Sequence, residues 1–184
     1  LAANIEYSKG MYQQAITHLN AVLANSPNNL PAQRLMVATL LKQNEADKAS
    51  ELLNKLTEQY PDDPALLSLT GEAAVRKRDY AKAMTAYSRA AQLDPKSTEL
   101  RTKVAMARMA TGDADKALHD LENIAAGDDK ATQADIVLAL AHINKREWQQ
   151  AETVVARLAS KQDDSPLIGG LRAGILLGKN DVAG

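Results

Sequence analysis

The sequence predicts an all-α protein made of repeated helix pairs, on three observations. Five alanines stand 34 residues apart, at Ala15, Ala49, Ala83, Ala117 and Ala151, with no residue inserted or lost between them. Within each period the apolar residues recur at i, i+3, i+4 and i+7, the spacing of one helix face. The 184 residues hold no Phe and only 3% aromatics, against 33 alanines and 24 leucines, with 9 glycines and 6 prolines. A globular core of this size ordinarily relies on aromatic bulk, and a sandwich or barrel needs more turn residues. Closely packed helices need neither.

The 34-residue step divides the chain into a partial unit over 1–29, full units over 30–63, 64–97, 98–131 and 132–165, and a partial unit over 166–184. Two more apolar columns follow the alanines: Leu19, Leu53, Tyr87, Leu121 and Val155, then Val22, Leu56, Ala90, Ile124 and Leu158. In the unit 64–97 the pattern predicts helices over 65–77 and 80–92, joined by a turn at Arg78-Asp79. The turn column reads Gly10, Asn44, Gly112 and Asn180, residue types that favour a left-handed helix end. Arg78 and Arg146 share the column against that preference. Between units, Pro27, Pro61 and Pro95 stop the second helix, since proline lacks the N–H and disfavours helical geometry in the residue before it. Asp129 and Asp163 replace proline in the last two units, and Pro31, Pro64 and Pro166 open the following helix. Asp63, Ser97 and Ser165 stand where a side-chain oxygen would cap the next helix. Ala3, Val37, Gly71, Ala105, Ala139 and Ala173 form a small-residue column expected to face the alanines, so that the paired backbones approach closely. A bulky residue there would cost about 1–3 kcal/mol in overpacking.

This pattern resembles the tetratricopeptide repeat family. The family's W-x2-L-G-x2-Y, A-x3-F and P positions are met here by Leu67, Thr70, Gly71, Ala74, Ala83, Tyr87, Ala90 and Pro95. The first aromatic column is degenerate, reading Gln33, Leu67, Arg101 and Asp135. The resemblance covers almost the whole chain. It implies a right-handed α-solenoid whose first helices line a concave groove.

Residues for catalysis do not converge in the repeat. His18, His119 and His142 fall in different columns, and no H-E-x-x-H spacing occurs. The stretch from Gly174 to Asn180 lacks the spacing and the hydroxyl of a phosphate loop. Instead, Gly170, Gly174 and Gly178 share one helical face, which predicts close approach by a neighbouring helix. The acidic pairs Asp62-Asp63, Asp128-Asp129 and Asp163-Asp164 lack the alternating oxygens and glycine of a calcium loop, and suit capping better. With no Cys there is no disulfide, thiolate zinc site or Cys nucleophile. A net charge of -1 argues against a nucleic-acid or anionic-membrane surface, and no apolar run is long enough to span a bilayer. The sequence therefore predicts a non-enzymatic chain with no catalytic, cofactor-binding or metal-ligating residue.

Function is expected in contact surfaces. Tyr7, Leu41, Val75, Met109, Ile143 and Leu177 are 34 apart and apolar in every unit. Two readings are open: packing between adjacent first helices, or an apolar floor for a bound helix or extended peptide. Nearby columns are polar toward the N-terminus (Arg34, Lys42, Glu72, Arg76) and greasy toward the C-terminus (Met106, Ile136, Val137, Leu140), with Lys103 and Asn144 beside them. A protein or peptide partner is thus expected in a groove polar at one end and apolar at the other. The carboxylate clamp of chaperone-tail relatives is not reproduced, because Leu35, Ala38, Ala65 and Leu69 occupy most of its places.

The sequence is also similar to repeat-array lipoproteins of the bacterial PEP-CTERM/exopolysaccharide system. The likeness lies at 40–43 (Leu-Leu-Lys-Gln), 60–64 (Tyr-Pro-Asp-Asp-Pro), 100–107 and 165–178. It implies a periplasmic or outer-membrane-associated scaffold for polysaccharide export or protein sorting, with the cytoplasm still open. Two other settings remain: a repeat segment of a cellulose-export type secretin, or a regulatory domain attached to an enzyme. Leu1 and Gly184 both fall inside helical patterns, so the chain reads as a segment of a longer protein. In the last partial unit Leu171, Ile175 and Leu176 are expected to lack partners and to promote self-association.

Overall fold

The computed structural model describes residues 2–128, 130–161 and 165–182. Among these residues eleven α-helices follow one another: α1 (Ala2–Ser8), α2 (Tyr12–Asn25), α3 (Leu30–Lys42), α4 (Ala46–Gln59), α5 (Pro64–Arg76), α6 (Tyr80–Leu93), α7 (Thr98–Ala110), α8 (Ala114–Gly127), α9 (Thr132–Asn144), α10 (Trp148–Lys161) and α11 (Pro166–Val182). Odd-numbered helices are the first of each pair. The helices predicted over 65–77 and 80–92 are α5 and α6, within a residue at each end. They gather into two compact units that divide between Asp94 and Pro95; unit 1 holds α1–α6 and unit 2 holds α7–α11.

Three first-helix starts share a local cause, and it repeats at 34. The side chains of Asn29, Asp63 and Ser97 accept the backbone N–H of Ala32, Leu66 and Leu100 at 3.1, 3.0 and 3.2 Å. Each satisfies a donor that a helix start leaves free. Asn29 was not among the expected caps. Ser165 was, but its hydroxyl finds no hydrogen-bond partner, so its side chain does not cap α11. Within pairs the turn column is left-handed throughout unit 1 and unit 2: Gly10 (φ 75°), Asn44 (64°), Arg78 (60°), Gly112 (99°) and Arg146 (59°). The two arginines adopt the strained geometry because the flanking helices dictate it. The column fails at its last member, because Asn180 lies inside α11, which runs on to Val182. Asp129, Asp163 and Asp164 lie outside the described residues.

The paired helices are joined by the small-residue contact. All five repeat alanines are fully buried, and Leu19, Leu53, Tyr87, Leu121 and Val155 are nearly so. Opposite them Val37, Gly71, Ala105 and Ala139 are buried, whereas Ala173 is exposed. A Cβ on Gly71 would overlap the Tyr87 ring. That glycine makes room for the only aromatic residue in the Leu19 column. Val22 is the exception in the third column. It is exposed where Leu56, Ala90, Ile124 and Leu158 are buried. In unit 2 one continuous core runs from Ala105 to Ile175.

Two expectations for α11 are overturned by that core. Leu171 and Ile175 are not orphaned: they are 5% and 2% exposed, packed among the residues of α9 and α10. Only Leu176 of the three stays open, joined by Leu177. The glycine face is also not a close contact along its length. A Cβ on Gly170 or Gly174 would meet nothing within 4 Å, and only at Gly178 would it overlap a neighbour, the Trp148 ring.

Unit 2 also buries charge. Asp135 is fully buried in α9 at the degenerate aromatic column. Its carboxylate meets the Arg157 guanidinium at 2.6 and 2.7 Å and the Lys161 ammonium at 3.0 Å, both from α10. Lys161 also donates to the Ala125 carbonyl at 3.0 Å. It therefore ties the end of α8 at the boundary where the capping column holds Ala131, which supplies no side-chain oxygen.

Candidate functional site

The expected groove residues sit on the first helices of both units, and the units treat them differently. In unit 1, Tyr7 comes from α1, Arg34, Leu41 and Lys42 from α3, and Glu72, Val75 and Arg76 from α5. Tyr7 is half-buried and stacks edge-on against Tyr12, centroids 5.7 Å apart. Its phenol is pushed above the usual tyrosine range, first by burial, then by the Glu72 carboxylate and Tyr12, with Arg76 opposing. Glu72 and Arg76 thus lie near enough to act on the Tyr7 phenol, although both are far from it in sequence. Glu72 and Arg76 form an i,i+4 pair at 3.5 Å. Arg34 is drawn off toward Asp63, whose second oxygen it meets while the first caps α5. Leu41 is fully buried in the unit 1 core and offers nothing to a partner. Lys42 and Val75 are exposed.

In unit 2 the same columns build a more apolar face. Met106 and Leu140 are 44% and 46% exposed, and Leu177 is 68% exposed. Met109, Ile136 and Ile143 are half-buried and pack against the unit 2 core with one edge. The column is thus core at Leu41, exposed at Val75 and Leu177, and half-buried at Met109 and Ile143. Val137 is buried. Lys103 forms an i,i+4 ion pair with Glu99 at 2.7 Å.

The histidines stay apart, as their columns imply. His18 bonds Glu6 at 2.7 Å, joining α2 to α1. His142 is buried, with Nδ1 2.7 Å from Glu147 across the turn into α10. That bond, with help from Lys145, holds the Glu147 carboxyl below the usual carboxylate range. Among the described residues no group of three or more His, Asp or Glu is placed to hold a metal, and no helix is long and apolar enough to cross a membrane. An open cleft of about 290 Å³ lies between α10 and α11, lined by Val155, Ala156, Ile175 and Leu176 with Glu152 and Arg172 at its rim. The charged contacts Asp135–Arg157–Lys161 and Arg108–Asp120 were not foreseen, because their partners lie 12 to 26 residues apart on different helices.

A family with this architecture is already defined by known proteins. Two tetratricopeptide repeat models match the chain, one over residues 6–73 and the other over 70–142. The chain belongs to the tetratricopeptide repeat family, of the all-α, α-solenoid class. A thermophilic tetratricopeptide repeat protein of Thermus thermophilus superposes with a TM-score of 0.84 at 19% identity, over 95% of this chain and 96% of that one. YrrB, a tetratricopeptide repeat protein with an unusual peptide-binding site, gives 0.65 at 18% identity, over 93% of this chain and 88% of that one. Anaphase-promoting complex subunit 3 of Schizosaccharomyces pombe is 36% identical over 86 residues. That match takes in 47% of this chain but spans only 13% of the yeast protein.

Proposed function

We propose that the chain is a non-enzymatic protein-interaction scaffold that engages partners through the exposed face of its first helices. The observation that carries this reading is the row of large apolar side chains left open on that face in unit 2, Met106, Leu140 and Leu177. Monomeric soluble surfaces rarely leave such residues clustered without a contact to make. Similarity to a subunit of a multi-subunit complex and to a peptide-binding protein supports it. The test is Met109→Glu with Ile143→Glu: partners recovered by the parent chain should be lost, and partners that survive the pair of changes refute the surface. A narrower reading rests on sequence likeness alone: a periplasmic or outer-membrane-associated role in exopolysaccharide export or protein sorting. Fractionation of cells making the full-length protein tests it, and a cytoplasmic pool refutes it. Self-association through Leu176 and Leu177 of α11 is a further proposed contact. Light scattering that reports a strict monomer at high concentration refutes it.

A further inference from the structure

We infer that a cleft in unit 1, between α4 and the turn from α5 into α6, binds a planar nitrogen cation, an imidazolium or a guanidinium, with Asp79 as its counter-charge. The cleft has a volume of about 360 Å³ and lies among Ser50 and Asn54 of α4, Thr70 and Ala74 of α5, and Asp79 and Lys82 where α6 begins. It shares no lining residue with the proposed partner face and is a separate site.

Unit 2 contains the same arrangement with the space filled. Two repeat steps on, Ser50, Thr70 and Ala74 become Leu118, Leu138 and His142, and all three are buried. The polar frame is kept. Asp47 meets Lys77 at 2.6 Å, and their counterparts Asp115 and Lys145 meet at 3.2 Å. Asp79 becomes Glu147, which the His142 ring reaches through Nδ1 at 2.7 Å while Lys145 lies 3.4 Å from the same carboxylate. One acid there takes an imidazole beside a lysine. In unit 1 the acid and the lysine remain and the ring is missing. The column of Ala74 reads Leu40, Ala74, Arg108 and His142. Arg108 too turns its guanidinium toward acids, Asp120 and, at 3.9 Å, Asp113, the counterpart of Asp79. Two units thus supply their own planar cation at a position where this one has alanine and a cleft.

The polar atoms left in the cleft call for N–H donors. One Asp79 oxygen accepts the backbone N–H of Lys82 at 3.0 Å, and no other described residue meets the second. The Ser50 and Thr70 hydroxyls donate to the Ala46 and Leu66 carbonyls at 2.7 and 2.9 Å. With their protons committed they offer only lone pairs, which suit a donor and not an anion. The Lys77 ammonium is engaged by Asp47. Lys82 is a like charge at the rim, and its counterpart in unit 2 is the neutral Gln150.

The test is NMR of the isotope-labelled whole chain at about pH 6, where imidazole is protonated, titrated separately with methylguanidinium, imidazole and acetate. Both cations should shift the Lys82 amide, with dissociation constants of about millimolar for ligands of so few atoms. Asp79→Asn keeps a helix cap and should weaken them about fivefold or more, whereas Lys82→Gln should tighten them about twofold. Ala74→His should supply the ring from within and abolish binding. All three positions tolerate the new side chain at the surface or in the open cleft, so the parent circular-dichroism melt should be kept or raised. Acetyl-arginine methylamide binding as tightly as methylguanidinium supports the site as a pocket for a partner's side chain; its exclusion while methylguanidinium binds supports a free small cation. No shift at the Lys82 amide, acetate acting at lower concentration than either cation, or binding undiminished by Asp79→Asn or Ala74→His overturns the inference. None of these outcomes bears on the first-helix surface.

Discussion

Replacing Asp135 with Ala probes the buried charge cluster that joins α9 to α10. The carboxylate is fully buried, and two cations within 3.0 Å converge on it. Its removal leaves Lys161, 8% exposed, and Arg157, one-third exposed, facing each other without an anion. Breaking a buried pair by deleting one partner costs about 3–5 kcal/mol. Arg157 can turn toward water, which places the expected loss toward the lower end, about 3 kcal/mol. Lys161→Met should cost less, about 1–3 kcal/mol, because Arg157 still neutralises Asp135 while the bond to the Ala125 carbonyl is lost. Asp135→Leu combined with Lys161→Met should recover most of the single-site loss, since apolar replacements of buried pairs are often neutral. The assay is equilibrium urea unfolding followed by helical circular dichroism, with the double-mutant cycle giving the coupling. A loss below about 0.5 kcal/mol for Asp135→Ala, the scale of an ordinary surface change, would refute the reasoning.

Other outcomes follow from single contacts. Gly71→Ala should cost about 1–3 kcal/mol by driving a methyl into the Tyr87 ring; adding Tyr87→Leu, as at Leu53 and Leu121, should restore it in the same urea assay. Arg146→Gly removes a left-handed non-glycine residue. The relief of about 1–2 kcal/mol, less roughly 0.5–1 for glycine's greater unfolded freedom, leaves a small net stabilisation, read as a higher urea midpoint. Glu147 is held below the ordinary carboxylate value of 4.5, first by its bond from His142. The stability it contributes is therefore complete above that value and fades as pH falls through the depressed one. Glu147→Gln should flatten that acid-side decline when urea midpoints are compared from about pH 3 to about pH 7; an unchanged slope contradicts it.

Much of the architecture is legible in the amino-acid order because the forces that set it are local and repeat. The i, i+4 apolar pattern, proline at the helix stop and an oxygen three residues before the first free N–H each act within one turn of helix. What escaped notice is tertiary. Asp135 stands in the column where the family carries a packed aromatic, and α9 offers no base within one turn to pair with it. Nothing local, however, names Arg157 and Lys161. Leu41 and Val75 share a column, yet one is core and the other surface, because their surroundings differ while their register does not. At α11 the repeat rule itself misled. The described helix α11 runs through Asn180 to Val182, and Leu171 and Ile175 pack back onto α9 and α10. On the first-helix face, the diversion of Arg34 toward Asp63 and the burial of α9's charges were not readable.

The proposed partner surface is the first-helix face of unit 2. Site-specific photocrosslinking tests it most directly, with the photoreactive residue placed at position 140 on α9 or at position 122 on the exposed side of α8. Protein adducts formed through position 140 and not through 122 are the predicted result. Adducts at 122 without any at 140 would rule that surface out.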